Sequence, residues 1–335
     1  METEENQLNA AAPESNLPRY LSLTMGVFCL ALSIITVSFN GILCTALYKN
    51  PLQCFRTPNS FLLLNLAISD FLTGLIVDVL YSAYFLAAFR QREILSLYDA
   101  AATASFVTVN LSTCTIVLLS IDRFIAVCKP LSYKFLMTRT RVIVCITCSW
   151  VYCIGFSIIP HVGVPKWLYY LIDAHLHITV PLVLLAFTFV KIQKQFKNNA
   201  LNNDFHEMRC KQEKILVQTI LMILVLAIIC LLPYYITVHI DFYCQYWTTC
   251  PVSTIYDWFG WLSEPFEFIN SCINPVLNAY RLPKYNKSIK VALGLTKLDE
   301  EGRKLQAPCP ASASQVTIPA PSPKIVKHMS VNTLL

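Results

Sequence analysis

Seven long runs of apolar residues, separated by short polar connectors, fill most of the chain. They fall near residues 21–48, 59–88, 95–128, 141–161, 168–190, 215–242 and 252–280. A helix needs roughly 20 apolar residues to cross the hydrocarbon core of a bilayer, and each run is long enough. No connector has room for an inserted domain, and the two halves of the chain show no repeat. The pattern predicts an all-α integral membrane protein with a bundle of seven transmembrane helices.

The charged residues agree with this class and predict an orientation. Only 14% of the 335 residues are charged, whereas a soluble protein carries about 25%. With the N-terminus outside the cell, only four of the 26 basic residues face outward, namely Arg19, Arg90, Arg92 and Lys166. Because cytoplasmic connectors carry the excess of Lys and Arg, we expect an extracellular N-terminus and a cytoplasmic C-terminus. The net charge of +6 then belongs to the inner face and does not indicate nucleic-acid binding.

Polar segments flank the spans. Residues 1–19 predict an extracellular tail, and residues 20–295 predict the membrane domain. Leu282, Tyr285 and Ile289 recur at helical spacing between lysines, which predicts an amphipathic helix over 281–294 on the lipid of the inner leaflet. Residues 296–335 are rich in Pro, Ala and Ser and predict a disordered cytoplasmic tail. The last residues, Thr333, Leu334 and Leu335, fit a PDZ-domain ligand, which needs an apolar final residue and a free carboxylate.

Several polar residues are predicted to lie at one depth in the bundle. Asp70 lies 12 residues beyond Pro58, which is about 18 Å along a helix and near the middle of the bilayer. A carboxylate at that depth needs partners. Its predicted neighbours on other spans are Ser112, Asn270, Ser271 and Asn274. Such an all-oxygen group with one carboxylate suits a hard monovalent cation, although hydrogen bonds that join helices are an equally good interpretation.

The motifs on these spans resemble those of the rhodopsin-like (class A) G-protein-coupled receptors. The resemblance covers residues 20–295 and rests on Asn40, Leu66-Ala67-Ile68-Ser69-Asp70, Asp122-Arg123-Phe124, Trp150, Pro181, Pro233 and Asn274-Pro275. It implies a seven-helix receptor of the plasma membrane, not an enzyme, that passes the signal of an extracellular ligand to a heterotrimeric G protein. Arrestin is implied as a further partner. The resemblance also implies that Pro181, Pro233 and Pro275 bend their helices.

The resemblance also implies roles for particular residues. Asp70, Ser112, Asn270, Ser271 and Asn274 match the family's allosteric sodium pocket, and no other cofactor is expected. Arg123 matches the arginine that holds the receptor inactive and then contacts the G protein. Asp122 and Glu213 match the acids that pair with that arginine in the inactive state.

The chain departs from the family pattern in its switch residues and cysteines. Leu231 stands where the family usually has tryptophan, and Phe189 and Asn278 stand where it usually has tyrosine, so raised basal signalling is expected. The usual cysteine at the outer end of the third span is absent. Cys244 and Cys250 are the remaining outer pair and are expected to bond to each other. A short second outer loop together with this pair favours a melanocortin-receptor-like or divergent orphan subgroup.

The ligand pocket is expected to open outward between spans. The seventh span has no lysine for retinal, and Ser105 stands where monoamine receptors carry an aspartate, so neither an opsin nor a simple monoamine receptor is expected. Acids and aromatic rings nevertheless line the predicted outer halves, which favours a basic peptide or a cationic small molecule. The candidate contacts are Asp78, Asp99, Ser105, Tyr234, Tyr235 and Glu264. Internal hydrogen bonds of these acids are the alternative interpretation.

Two other functions are compatible with a polar membrane bundle. An ion-coupled transporter or channel could use the Asp70 cluster as its ion path, but polar residues do not continue through the bundle and no repeat is present. A membrane enzyme would need a nucleophile and base or a metal set near Asp70, and the sequence offers none.

Overall fold

Helices account for almost every residue that the structure describes. The computed structural model describes residues 18–51, 55–92, 94–199, 207–246, 254–281 and 283–296. Its α-helices are α1 (Arg19–Lys49), α2 (Pro58–Leu72), α3 (Asp78–Phe89), α4 (Leu95–Cys128), α5 (Pro130–Leu136), α6 (Arg139–Ile158), α7 (Lys166–Ala174), α8 (Val180–Asn199), α9 (Glu207–Tyr246), α10 (Thr254–Arg281) and α11 (Pro283–Ala292). These ranges contain no strand, so the predicted all-α class is confirmed.

Each predicted apolar run becomes one helical span. The second span consists of α2 and α3 joined by a π-helical turn (Thr73–Val77), and the fifth of α7 and α8 joined by another (His175–Thr179). The first, third, fourth, sixth and seventh spans are α1, α4, α6, α9 and α10. Six helical segments in the described ranges are long and apolar enough to cross a membrane, and α10 is not one of them. Acids and asparagines within α10 lower its hydropathy.

Threonine caps begin two spans at the end of the bundle that holds Arg123. The Thr57 hydroxyl accepts from the Ser60 backbone N–H (3.4 Å), and Pro58 follows as the first helical residue. The Thr138 hydroxyl accepts in the same way from Arg141 N–H (3.4 Å). Such caps satisfy backbone donors that have no partner within the helix, and proline at the first helical position loses no hydrogen bond there.

Buried polar side chains join the spans to one another. Asn65 donates from Nδ2 to Thr115 Oγ1 (2.8 Å) and accepts from Trp150 Nε1 (3.0 Å), so it links the second, third and fourth spans. Asn40 donates to the backbone oxygen of Ser271 (3.0 Å), which links the first and seventh. Hydrogen bonds of this kind hold helices together where lipid offers no partner.

The π-helical turn of the second span brings its backbone close to α1. Ser33 Oγ donates to the Gly74 carbonyl oxygen (2.7 Å). A Cβ atom on Gly74 would lie 2.8 Å from Thr36 Cβ and 3.1 Å from Val37 Cγ2. The approach therefore depends on the absence of a side chain at this position.

We predict that Gly74→Ala lowers the melting temperature of the purified protein, because overpacking costs about 1–3 kcal/mol. Gly155→Ala is the matched control, since a Cβ atom there meets nothing within 4 Å and alanine favours a helix by about 1 kcal/mol over glycine. Thermal unfolding in detergent should thus shift in opposite directions for the two variants. Equal shifts would show that the contact between α1 and the second span tolerates a side chain.

The short helix α11 follows the seventh span directly. It packs against α1, and Ile289 packs against an apolar cluster to which the first six spans contribute. Its position matches the amphipathic helix predicted over 281–294. Of the predicted tails 1–19 and 296–335, residues 1–17 and 297–335, with Thr333, Leu334 and Leu335, lie outside the described residues.

Candidate functional site

Polar side chains concentrate at three levels of the bundle. We call the end that holds Arg123 the inner end and the end that holds Asp99 the outer end, following the orientation that the charges predict. The Arg123 pair lies at the inner end, the Asp70 cluster lies midway, and a cavity lies towards the outer end.

Asp70 is fully buried and is bonded by neutral groups from two other spans. Ser112 Oγ donates to Asp70 Oδ1 (3.1 Å), and Asn274 Nδ2 donates to Oδ2 (2.8 Å). The structure therefore joins three of the five residues predicted to form a cation site by hydrogen bonds, and the other two, Asn270 and Ser271, are buried on the same helix as Asn274.

The Asp70 cluster has oxygen atoms to spare. The amide oxygens of Asn270 and Asn274 are buried and have no hydrogen-bond partner among the described residues. No described basic side chain pairs with Asp70, so its carboxylate lacks a counter-charge. Unpartnered oxygens around a carboxylate are the ligands that a hard cation prefers, and the residues present thus fit a sodium ion.

Arg123 forms an ion pair with its neighbour Asp122 at the inner end. Asp122 is fully buried, and Arg123 is 6% exposed. Arg123 Nε donates to Asp122 Oδ2 (2.8 Å), Nη2 contacts the same oxygen, and the Tyr133 hydroxyl donates to Oδ1 (3.0 Å). Three donors therefore hold the carboxylate, and one of them, Tyr133 on α5, was not foreseen from the sequence.

The predicted second acid for Arg123 lies on the sixth span. Glu213 belongs to α9, but its side chain lies outside the described residues, so its pairing with Arg123 stays a prediction. Phe189 of α8 lines a small cavity beside Arg123, where the family resemblance leads one to expect a tyrosine.

A cavity of about 280 Å³ lies between the third, fifth, sixth and seventh spans and the outer part of the second. Aromatic rings form most of its wall: Tyr81, Tyr98, Phe106, Tyr170, Tyr234, Trp261 and Phe268. Its charged lining residues are all acids, namely Asp241, Glu264 and Glu267, and no lysine or arginine lines it within the described ranges. The cavity is therefore suited to a positively charged group.

Glu264 of α10 is held by a hydrogen bond from another residue of the cavity wall. The Tyr98 hydroxyl of α4 donates to Glu264 Oε1 at 2.5 Å. The second oxygen, Oε2, is buried and has no hydrogen-bond partner among the described residues. The Tyr98 ring packs against Tyr81 and Trp261 with centroids 5.8 and 6.5 Å away. One carboxylate oxygen is thus fixed in place while the other remains free to accept.

The structure places only half of the predicted ligand contacts on this cavity. Ser105, Tyr234 and Glu264 line it. Asp99 is exposed and pairs with Lys166 (3.6 Å), and Tyr235 accepts from Thr179 (3.4 Å) and stacks against His239. Asp99 and Tyr235 therefore contact residues that do not line the cavity, because their positions on the helices direct their side chains away from it.

Asp78 is a further correction to the predicted pocket. It is fully buried and does not line the cavity. Neither of its carboxylate oxygens has a hydrogen-bond partner among the described residues. Asp78 directly follows the π-helical turn, whose wider winding changes the direction of the side chains beyond it.

A buried acid on the fifth span was missed by the sequence analysis. Asp173 Oδ1 accepts from Asn110 Nδ2 (2.8 Å) and from His177 Nδ1 (2.9 Å), and Tyr234 donates to Oδ2 over 3.5 Å. The Tyr152 hydroxyl lies 3.1 Å from His177 Nε2. The signal was an acid and a histidine four residues apart inside an apolar run, which places both on one helix face.

The three prolines that were predicted to bend helices lie in the described helices, and so does one of the two outer cysteines. Pro233 lies inside α9, Pro275 lies inside α10, and Pro181 is the second residue of α8, directly after the π-helical turn. Cys244 near the end of α9 is disulfide-bonded. Its predicted partner, Cys250, lies outside the described residues, so that pairing stays a prediction.

Comparisons with known proteins point to one family. The profile of the 7 transmembrane receptor (rhodopsin family) matches residues 39–168 and 163–277. The histamine H2 receptor of Canis lupus familiaris is 26% identical over 198 residues, so the match spans 53% of this chain and about half (54%) of that receptor. The adenosine receptor A2a of the same species is 21% identical over 300 residues, or 78% and 70% of the two chains. The crystal structure of squid rhodopsin shares the fold, with a TM-score of 0.70, 18% identity and coverage of 91% and 94%.

Proposed function

The chain belongs to the rhodopsin family of seven-transmembrane receptors, and from this premise we propose that its ligand is a cationic small molecule anchored at Glu264. Membership makes it a multi-pass plasma-membrane receptor that couples an extracellular ligand to heterotrimeric G proteins. The transporter or channel alternative is not favoured, because the matched relatives are receptors. The melanocortin-like subgroup is not singled out by these matches and stays a prediction.

The observation that carries the proposal is the free oxygen of Glu264 on an aromatic cavity. A buried carboxylate without a counter-charge is costly, and a cation that binds there removes that cost. Aromatic faces attract the same cation through their quadrupoles. The volume of about 280 Å³ lies just below the range of about 300–1,000 Å³ that ligand pockets span. This volume favours a small molecule over the basic peptide that the sequence left open.

The charge of the ligand follows from the cavity and not from the relatives. One relative is named for histamine, which is a small amine, and another for adenosine, which is uncharged at neutral pH. In this chain the position of the usual amine-binding aspartate is Ser105, which lines the cavity. The proposed anchoring acid, Glu264, thus lies on the seventh span, whereas the usual aspartate would lie at the position of Ser105 on the third.

We also propose roles for the other two polar levels. The Asp70 cluster holds sodium in the resting receptor, and Asp122 together with Glu213 holds Arg123 away from the G protein. The N-terminus lies outside the cell, in agreement with the basic residues of the inner face. Arrestin, and a PDZ-domain protein that binds Thr333, Leu334 and Leu335, are proposed as further inner partners.

We predict that Glu264→Gln lowers the potency of a cationic agonist by about tenfold or more, because a hydrogen bond to a charged group contributes about 1.5–3 kcal/mol. The measurement is nucleotide exchange on purified G proteins of each class, with the receptor screened against amines and their neutral amide analogues. Asp99→Asn is the matched control, since Asp99 is exposed and away from the cavity. Active compounds without positive charge, or an unchanged potency in Glu264→Gln, would overturn the proposal.

A further inference from the structure

We propose that the agonist carries two cationic groups and that the second binds Glu267, one helical turn deeper than Glu264. This inference rests on the proposed function, in which Glu264 anchors the first cation. Glu267 lines the cavity of about 280 Å³ together with Glu264. It also lines a small cavity of about 10 Å³ beside Asp173, and thus lies where the two spaces meet.

Glu267 faces these spaces without a partner of its own. It forms no hydrogen bond or ion pair with another residue in the part of the chain that the structure describes. Residues three apart on a helix have Cβ atoms about 5–6 Å from each other. The two glutamates therefore present carboxylates on one wall at the spacing of a short diamine.

The charges around Glu267 do not balance within the described residues. Three acids face the joined spaces, namely Glu264, Glu267 and Asp173, and Asp241 also lines the larger one. Among the described residues that line the two spaces, the only basic group is His177, which already bonds Asp173 (2.9 Å). A protonated His177 would neutralise Asp173, and the carboxylates of Glu264 and Glu267 would still lack a cation. Like charges this close disfavour ionisation of both groups unless a dication binds between them.

Asp173 is held in a way that leaves Glu267 to the ligand. Oδ1 of Asp173 takes two short hydrogen bonds, from Asn110 and His177, while Tyr234 approaches Oδ2. The Asp173 carboxylate is thus largely satisfied by the protein, and the Glu267 carboxylate is not. Tyr234, whose hydroxyl approaches Asp173, lines both cavities.

The cavity wall defines the rest of the ligand class. Phe106, Tyr170 and Phe268 lie on the wall beside the acids, and such surfaces favour an apolar or aromatic spacer. We therefore expect a diamine with a short alkyl or benzylic spacer. Uncharged groups in place of either amine should weaken binding.

The test compares diamines with amino alcohols of the same length. The probes are 1,3-diaminopropane to 1,6-diaminohexane and 1,4-bis(aminomethyl)benzene, each paired with the compound in which one amine is a hydroxyl. Thermal stabilisation of the purified full chain in lipid nanodiscs measures binding, and nucleotide exchange on G protein measures response. We expect the best diamine to bind about tenfold or more tightly than its amino alcohol, as for one added charged hydrogen bond.

The Glu267 variants isolate the second cation. Glu267→Gln should remove the preference for the diamine while the amino alcohol binds as before, and Glu267→Asp should restore the preference. Glu264→Gln should weaken both probes, and Asp99→Asn should change neither. Three results would overturn the proposal of a dicationic agonist. They are equal binding of diamine and amino alcohol by the unmodified receptor, a preference for the diamine that survives Glu267→Gln, and the absence of binding by every probe.

The outcomes for the two glutamates separate this inference from the proposed function. If diamines and amino alcohols bind equally and Glu264→Gln weakens both, the single-cation receptor stands and the second subsite fails. If only uncharged compounds activate the receptor, the proposed function itself fails.

Discussion

Asp122→Asn is expected to raise nucleotide exchange in the absence of ligand by about tenfold or more. In the structure the buried Asp122 carboxylate accepts from Arg123 Nε at 2.8 Å, which holds the guanidinium at the inner end. Hydrogen bonds between charged groups contribute about 1.5–3 kcal/mol, and about 1.4 kcal/mol changes an equilibrium constant tenfold. An amide keeps the shape of the side chain and loses its charge. The equilibrium between inactive and active receptor should therefore shift towards the state in which Arg123 is free for the G protein.

Two variants give this experiment its internal comparison. Tyr133→Phe removes the donor to Asp122 Oδ1 (3.0 Å) but leaves the ion pair, so it should raise basal exchange less than Asp122→Asn. Glu213→Ala tests the predicted second acid in the same assay and should also raise it. Exchange is measured with purified G protein at equal receptor amounts. An Asp122→Asn receptor with unchanged basal exchange would remove Asp122 from the mechanism.

The helices and the buried Asp70 cluster were accessible from sequence because both depend on simple geometry. A run of about 20 apolar residues has few alternatives to a transmembrane helix, and a fixed rise per residue places polar groups at a common depth. That arithmetic put Asp70 near the middle of the bilayer with Ser112 and Asn274 as predicted neighbours, and the structure joins the three by hydrogen bonds. The same arithmetic gives depth but not direction around the helix axis.

Direction is where the sequence analysis failed. Asp78 was predicted to face the pocket, but the π-helical turn Thr73–Val77 precedes it, and nothing in Thr-Gly-Leu-Ile-Val distinguishes that turn from an ordinary helix. Asp173 was missed because no family motif contains it, although an acid in an apolar run is itself a signal. Glu264 was among the predicted ligand contacts, but only the shape of the cavity shows that Glu267 lies on the same wall.

The three polar levels need not act independently. The Asn274 that bonds Asp70 lies on α10, the helix that also carries Glu264 and Glu267. Asp122 and Arg123 lie on α4, which also carries Ser112 of the Asp70 cluster and Tyr98 of the cavity. A ligand that binds one conformation of the bundle more tightly than another shifts the population towards that conformation. Because α10 and α4 each extend through more than one level, such a shift changes both ends of the bundle.

We expect sodium to stabilise the receptor and Asp70→Asn to abolish that effect. An ion that binds only the folded resting state adds about 2.7 kcal/mol at a concentration 100 times its Kd. The melting temperature of the unmodified receptor should therefore rise with sodium chloride and stay constant with choline chloride at equal ionic strength. Basal nucleotide exchange should fall over the same range of sodium concentration.

Asp78→Asn is the control that makes the sodium experiment specific. Both aspartates are fully buried in the second span, so either amide removes one buried charge from the same region of the bundle. Asp70 is surrounded by Ser112, Asn274 and the unpartnered amide oxygens. Asp78, by contrast, has no hydrogen-bond partner among the described residues. The Asp78→Asn receptor should keep its response to sodium and the Asp70→Asn receptor should lose it. A response that persists without Asp70, or that disappears with Asp78, would place the ion elsewhere in the bundle.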